Sequence, residues 1–423
     1  MFESILKKIK PSKEEEKKIE EVTEELIKKI KIKDAKIIIG GSLGKNTWLK
    51  DTHDIDLFIK FNYSKFKDKA KEISNVLEKA LRKFKLIRLH GSRDYFQIKY
   101  KNYSFELVPI LDIKHVEQAK NITDISPLHT LWVNKQCRKR IRNVTLKRKF
   151  IRNVVSYDEI RLTKAFAKAQ KVYGAESYIQ GFSGYVLEIL TIYYGSFLNL
   201  IKSASKWKER TIIDPKKQLK TPLIELNKSK IQSPLILVDP VDKTRNASAV
   251  LSKEKYDLFI KACKEFIKTK SESFFIKKQE KIPKNSIVIE ILPLNGKKDA
   301  IGGKLNSLFN KIKKQIILNE FKIVKANWIW NDKVYFWFKL KSNTLPNLEI
   351  IKGPPISNKK HLDNFKKKHK ETFVKNNIIY AKEKRKISNI KDFISYLIKN
   401  KYIKKEVASI RILKNSKFKI ILI

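Results

Sequence analysis

Residues 40–61, GGSLGKNTWLKDTHDIDLFIKF, set three small residues ahead of an Asp–apolar–Asp triplet that opens a hydrophobic run. Side chains two apart on a strand share a face, so Asp54 and Asp56 project together while Ile55 and Leu57 turn to the core. Two carboxylates forced together require a cation. Hard oxygen donors suit Mg²⁺, which keeps several waters and binds through one or two carboxylates plus substrate phosphates. In the later run SFELVPIL, Glu106 lies between Phe105 and Leu107, so its carboxylate is expected away from the core, placed to complete a triad. Gly40, Gly41 and Ser42 allow close backbone approach at a helix start, where free N–H groups attract a phosphate. The pattern therefore predicts a polyphosphate held between a glycine turn and carboxylate-bound metal.

Taken singly, each piece has a plainer reading. An isolated Asp–x–Asp is commonly a solvated turn, Gly-Gly-Ser a loop, and a lone Glu in a strand a solvent-facing residue. The combination is far more specific: an apolar strand, a Gly-Ser turn, a helix start, Asp–apolar–Asp in a second strand, then an acidic strand about 50 residues on. It reads as a nucleotidyltransferase palm.

The elements that must position these residues follow from periodicity. Ser12 is placed to cap a helix over 12–31, in which Ile19, Val22, Leu26 and Ile30 recur at helical spacing. AKIII and DIDLFIKF read as strands, followed by a helix over about 65–84 and the strands DYFQIKY and SFELVPIL. From 126 to 270 the pattern is mostly helical. In GFSGYVLEILTIYYGSFLNLIKSA, Ser183 offers an N-cap and Val186, Ile189, Leu190 and Tyr193 share one face. The Lys-rich stretch 268–286 reads as a linker. Beyond it, SIVIEILPL, a helix over 302–318 and the hairpin NWIWNDKVYFWFKL, turning at Asn331–Asp332, give a β-α-β-β order. KGPP at 352–355, a basic helix near 358–370, the strand IIYAKEKR and a helix near 389–400 extend it. The expected fold class is α+β: a nucleotidyltransferase head domain over 1–125, a helical neck over 126–270, an RRM-like or ferredoxin-like body over 285–385 and a tail over 386–423. The aromatics Trp328, Trp330, Tyr335, Phe336, Trp337 and Phe338 could form an RNA-stacking platform, but alternation assigns most of them to the core.

The 423 residues hold 94 Lys plus Arg against 44 Asp plus Glu, a formal net charge of +50. Self-repulsion on that scale favours a polyanionic partner, nucleic acid first. The basic residues run the whole length, unlike one juxtamembrane cluster. No apolar run is long enough to span a bilayer, so the protein is expected to be soluble, without membrane association. Cys137 and Cys263 show neither zinc-site nor disulfide spacing, which fits a reducing cytoplasm. The six histidines never adopt HxxxH or HExxH spacing, and His53 is taken as incidental.

The 40–61 stretch resembles the signature of the polymerase-beta nucleotidyltransferase superfamily, and within it the archaeal (class I) CCA-adding enzymes, the tRNA nucleotidyltransferases. Similar segments run through ISPLHTLWV (125–133), RLTKAFAKAQKVYGAESYIQGFSGYVLEIL (161–190), WKERTIID (207–214) and VDPVDKTRNASAVLS (238–252). The resemblance implies addition of C, C and A to tRNA from CTP and ATP, with the acceptor stem and T-arm held on a basic surface and a homodimer left open. It implies two Mg²⁺ ions on Asp54, Asp56 and Glu106, and a nucleotide held by Gly41, Ser42, Lys45, His129, Lys164 and Tyr173, with Arg245 at the base edge. The family more often has Asp at 106 and Arg at 45; Lys keeps the charge without the bidentate fork. Taken alone, Lys164 reads first as a solvated helix lysine, Tyr173 as a core aromatic and His129 as a satisfied buried histidine, and only the setting SPLH favours a site role for His129. Lys164 and Tyr173, nine residues apart, share a ligand only if their helix ends before Gly174. A poly(A) polymerase or oligoadenylate synthetase on the same palm, or an inactive RNA-binding scaffold, are the competing readings.

Overall fold

The computed structural model describes residues 1–50, 52, 54–144, 155–277, 281–331 and 333–413; His53 and Asp332 lie outside them. Two compact units divide the chain, Met1–Lys278 and Gln279–Ile423.

The first unit opens on a five-stranded sheet of β1 (Ala35–Ile39), β2 (Asp54–Phe61), β3 (Leu86–Leu89), β4 (Tyr95–Tyr100) and β5 (Tyr103–Leu111), ordered β1-β2-β5-β4-β3. Only β2 and β5 run parallel, at its centre. Ile55, Leu57, Ile59 and Phe61 alternate into a core shared with Phe105 and Leu107 and closed by Ile19, Val22 and Leu26. Those last three come from the helix Lys13–Lys29, which starts as the sequence predicts: Ser12 Oγ accepts the Glu15 N–H at 3.1 Å and the Glu15 carboxylate accepts the Ser12 N–H at 2.8 Å. The single helix expected over 65–84 is instead a set of turns and the helix Ile73–Ala80. Lys-rich 65–72 has no apolar stripe to bury, whereas Ile73 and Leu77 do. The short strand β3 and the N-terminal helix Phe2–Ile9 were not legible in sequence; Phe2 packs edge-on against Phe197, centroids 5.8 Å apart.

At the end of β5, Asp124 is fully buried and paired with Arg93. It also accepts the N–H groups of Leu111, Lys120 and Asn121 at 2.9–3.0 Å, tying the end of β5 to the first neck helix, Ser126–Val144. Removing one partner strands a buried charge, so Asp124→Ala should destabilise the unit by roughly 3–5 kcal/mol, read as a lower urea midpoint.

The rest of this unit's described residues carry the helices Tyr157–Ala169, Gly184–Tyr194, Phe197–Ala204 and Lys253–Thr269, with a small parallel pair β6 (Thr211–Ile213) and β7 (Leu235–Leu237). Ser183 caps its helix, accepting the Val186 N–H at 3.1 Å. That helix is buried nearly all round, Leu187, Glu188, Thr191 and Ile192 included, while Tyr193 is 47% exposed, so the one-face reading does not hold. Gly195, at φ +88°, ends the helix, and the next sets off at 95°. Among the described residues no single helix is long and apolar enough to cross a membrane; this bent pair comes nearest, and its apolar side chains form the neck core. The start of the expected linker belongs to the same core: Phe274 and Phe275 pack on Phe166 and Phe266, whose demand for apolar cover outweighs the surrounding polar residues.

The described residues of the second unit form two sheets. β8 (Ile287–Leu292), β9 (Ile323–Trp330), β10 (Val334–Leu340) and β14 (Ser409–Ile412) form one, ordered β14-β8-β10-β9, with the helices Lys298–Leu318 and Ile390–Ile398. This is a βαββαβ ferredoxin-like arrangement. Between β10 and the second helix lie β11 (Leu348–Pro355), β12 (Glu371–Lys375) and β13 (Ile378–Lys384), ordered β11-β13-β12, with the helix Lys359–Lys368. The segment from 386, set apart in sequence as a tail, supplies in its described part the second helix and the edge strand that complete the larger sheet. Phe336 and Phe338 are fully buried against Phe309, and Trp328 meets Phe336, so core packing claims most of the hairpin aromatics.

Candidate active site

The parallel register of β2 and β5 builds the site. Asp54 pairs with Ser104 and Asp56 with Glu106. Because Ile55, Leu57, Phe105 and Leu107 are buried, Asp54, Asp56 and Glu106 all lie on the opposite face. Burial pushes the Asp56 carboxyl above the ordinary range, Lys45 opposes this, and the neighbouring Asp54 charge adds to it. As the side chains stand, no three of the described His, Cys, Asp and Glu residues are gathered closely enough to ligate one ion. The backbone sets three carboxylates on one face without closing a cage. Their chemistry, hard oxygens of like charge beside each other, fits a divalent cation of the Mg²⁺ type.

Gly40 donates its N–H to the Asp56 carbonyl at 2.8 Å, which presses the turn Gly41–Gly44 against β2. Gly41 sits at φ +55°, and a Cβ built there would overlap the Asp56 carboxylate. Gly41→Ala should therefore cut the rate of any reaction at this carboxylate face by about a hundredfold or more, because a displaced reacting group costs on that scale; a single-turnover rate measures it. The expected helix after the glycines is one turn only, since Lys45 caps it and Asn46, at φ +53°, redirects the chain.

Beyond the turn, Lys45 and Thr47 meet the neck. Glu188, 1% exposed, receives the Lys45 ammonium at 2.9 Å on one oxygen, and on the other the Lys164 ammonium at 2.7 Å and the Thr47 hydroxyl at 2.8 Å. Lys164 also donates to the Thr47 hydroxyl at 2.8 Å and its carbonyl at 3.3 Å, so its three protons have three protein acceptors. Burial alone would raise Glu188, but the two lysines outweigh it and hold the carboxyl at about 2. Burial depresses Lys164, with Glu188 resisting. Arg161, also buried, donates to the Trp48 carbonyl at 3.1 Å and to Asn46 at 2.8 Å, locking the turn to the same helix.

The helix carrying Lys164 ends at Ala169, so Tyr173 is free of the phase conflict its spacing implies. Tyr173 and Lys164 both lie against Gly184, where a built Cβ would stand 3.0 Å from the phenol oxygen and 3.7 Å from the ammonium. Burial raises the Tyr173 phenol, with smaller contributions from Glu188, Glu176 and Asp56. Lys168, one turn on from Lys164, lies over the Tyr173 ring at 5.1 Å and within the field of Asp54.

His129 and Arg245 gather on a second buried carboxylate. Asp239 accepts Arg245 Nη1 at 2.9 Å and the Tyr185 hydroxyl at 2.9 Å, and its carboxylate lies 3.1 Å from His129 Nε2, which itself stands 3.4 Å from Arg245 Nη1. Burial lowers the His129 pKa, against the pull of Asp239. The Tyr185 ring stacks on His129, centroids 4.1 Å apart, and has the Lys45 ammonium 5.1 Å from its own centroid. The sequence-predicted residues thus fall into one tract from the carboxylate face to Arg245. Glu188, Tyr185 and Asp239, which join its parts, were missed. One signal was available for Glu188: a lone charge in the apolar run YVLEILTIYY needs a buried partner.

Fold and site together define a nucleotidyltransferase, and residues 16–127 match the family model described as the nucleotidyltransferase domain. Residues 158–276 match the second domain of tRNA nucleotidyltransferase, and 297–420 the C-terminal domain of the CCA-adding enzyme. The chain is 31% identical over 425 residues to the CCA-adding enzyme of Methanocaldococcus jannaschii, covering 94% of this chain and 90% of that one. It is 34% identical over 387 residues to that of Nanoarchaeum equitans, covering 90% of each. The chain belongs to the CCA-adding enzyme family.

Proposed function

We propose that the chain extends the 3′ end of tRNA with C, C and A, taken from CTP and ATP, with pyrophosphate released at each addition and no nucleic-acid template. The observation that carries this reading is the β2–β5 register, which aligns Asp54, Asp56 and Glu106 beside the Gly41 turn. Asp54 and Asp56 would hold two divalent cations, Mg²⁺ above all, with Glu106 as third ligand. When bound, such ions lower the pKa of an attacking hydroxyl and neutralise charge on the leaving pyrophosphate.

The chain's own residues orient the reactants. The Gly41 turn brings backbone close to the triphosphate, with the Ser42 hydroxyl beside it. Lys45 supplies positive charge at the cleft wall, 12% exposed and braced by Glu188. Tyr173 and His129 flank the same tract, and Lys164 acts on it through Thr47 and Glu188. Arg245 meets the base edge, where a planar guanidinium suits the acceptors of both cytosine and adenine.

A net charge of +50 supports shape-and-backbone recognition of an A-form acceptor and T-arm. Affinity for tRNA should fall steeply with salt, each neutralised phosphate contributing roughly −0.7 to −0.9 to the log–log slope; fluorescence anisotropy across a salt series measures it. Function itself is tested with tRNA lacking part or all of its CCA end, labelled CTP and ATP, and Mg²⁺. Three additions that then stop are expected. An open-ended A tract would make the chain a poly(A)-type polymerase, and tRNA bound without incorporation would make it a scaffold.

A further inference from the structure

The buried carboxylate of Asp239 has no role in the reading above, yet it is the most heavily bonded acceptor near Arg245. It lies in a tight loop in which Val238 bridges Asn246, the Asp239 N–H donates to the Arg245 carbonyl at 3.0 Å, and the Arg245 N–H to the Asp242 carbonyl at 3.0 Å. The loop thereby sets Asp239 and Arg245 face to face. One Asp239 oxygen holds Arg245 Nη1 at 2.9 Å and lies 3.1 Å from His129 Nε2; the other takes the Tyr185 hydroxyl at 2.9 Å and the Val241 N–H at 2.8 Å. Asp239 is fully buried, whereas the Arg245 side chain is 31% exposed and lines a cavity of about 390 Å³ with Ser183, Asp242 and Asn246. The guanidinium is thus fixed at one nitrogen and accessible elsewhere.

We infer that Asp239 is a positioning residue that sets base selection: by anchoring Arg245 and Tyr185 together, it holds the guanidinium in one orientation toward the incoming base. This rests on the proposed function, in which Arg245 meets that base. The chemistry gives the direction of the effect. Cytosine N3 and adenine N1 are bare acceptors, whereas uracil N3 and guanine N1 carry hydrogens. A donor held rigidly before that ring position accepts the first pair and leaves two opposed donors with the second. A guanidinium that can swing aside loses that penalty, so the rejected bases gain. Tyr185 also joins the two ends of the site, since its ring carries the Lys45 contact and its hydroxyl the Asp239 bond.

The test compares CMP with UMP incorporation on tRNA ending one nucleotide short of its second C, for the wild type, Asp239→Asn, Tyr185→Phe, Arg245→Lys and the Asp239→Asn/Arg245→Lys pair. Asp239→Asn should lower the CTP-over-UTP ratio of kcat/KM by about tenfold or more. Tyr185→Phe, which keeps the ring on His129, should lower it less, and it serves as the readout if Asp239→Asn does not fold. The double variant should discriminate no worse than Arg245→Lys alone, because Asp239 acts through that side chain. An unchanged ratio in both Asp239→Asn and Tyr185→Phe, with only thermal stability or total rate reduced, would overturn the inference. A wild type that adds no CMP would instead overturn the function beneath it.

Discussion

Asp56→Asn is expected to abolish nucleotide addition, by at least about a thousandfold in single-turnover rate, while tRNA affinity stays within about threefold. The change keeps shape and volume and removes only the charge. Asp56 is the carboxylate at which the site's elements meet: Glu106 pairs with it across the sheet, Gly40 donates to its carbonyl, and Gly41 lacks a Cβ where its side chain lies. Its raised pKa, caused first by burial, marks a negative charge that the protein alone does not fully compensate. Asp54→Asn should behave alike, and Glu106→Gln more mildly. Stopped-quench CMP incorporation with parallel anisotropy binding separates catalysis from RNA affinity. An Asp56→Asn chain that still adds CMP at near wild-type rate would place the chemistry elsewhere.

Glu188→Gln should damage both stability and nucleotide affinity. It leaves the Lys45 and Lys164 ammoniums, at 12% and 3% exposure, without their shared counter-charge. Breaking a buried pair from one side costs roughly 3–5 kcal/mol. KM for CTP should rise about tenfold or more, because Lys45 loses its brace, with kcat less affected. The pH dependence is distinctive. A carboxyl held at about 2 against an ordinary 4.5 contributes stability that is complete above the higher value and is lost as pH falls toward the lower. Wild-type stability should therefore decline across that window more steeply than that of Glu188→Gln. Urea titrations from pH 6 to pH 2 measure it, and parallel curves for the two proteins would refute the role given to Glu188.

The catalytic face was legible because a strand has a period of two: DIDLF and SFELV each declare which side is buried. Ser12 and Ser183 announced their helices by the same kind of local chemistry. Residues that act at a distance were not legible. Lys164 and Glu188 stand 24 residues apart, and Thr47 and Glu188 stand 141 apart, so no local pattern pairs them. For the same reason the segment after 386 looked like a tail: its strand β14 pairs with β8, and Arg411 bonds Glu290 across 121 residues. The one-face reading of the Ser183 helix failed because a helix buried all round carries no period to read.

Metal binding measured apart from turnover tests the central claim most directly. Mn²⁺ titrated into the full chain with a non-hydrolysable CTP analogue, followed by electron paramagnetic resonance, should show nucleotide-dependent binding in the wild type. That binding should weaken by about tenfold or more in Asp54→Asn and Asp56→Asn and be retained in Arg245→Lys. Equal Mn²⁺ binding by the wild type and both aspartate variants would contradict the account.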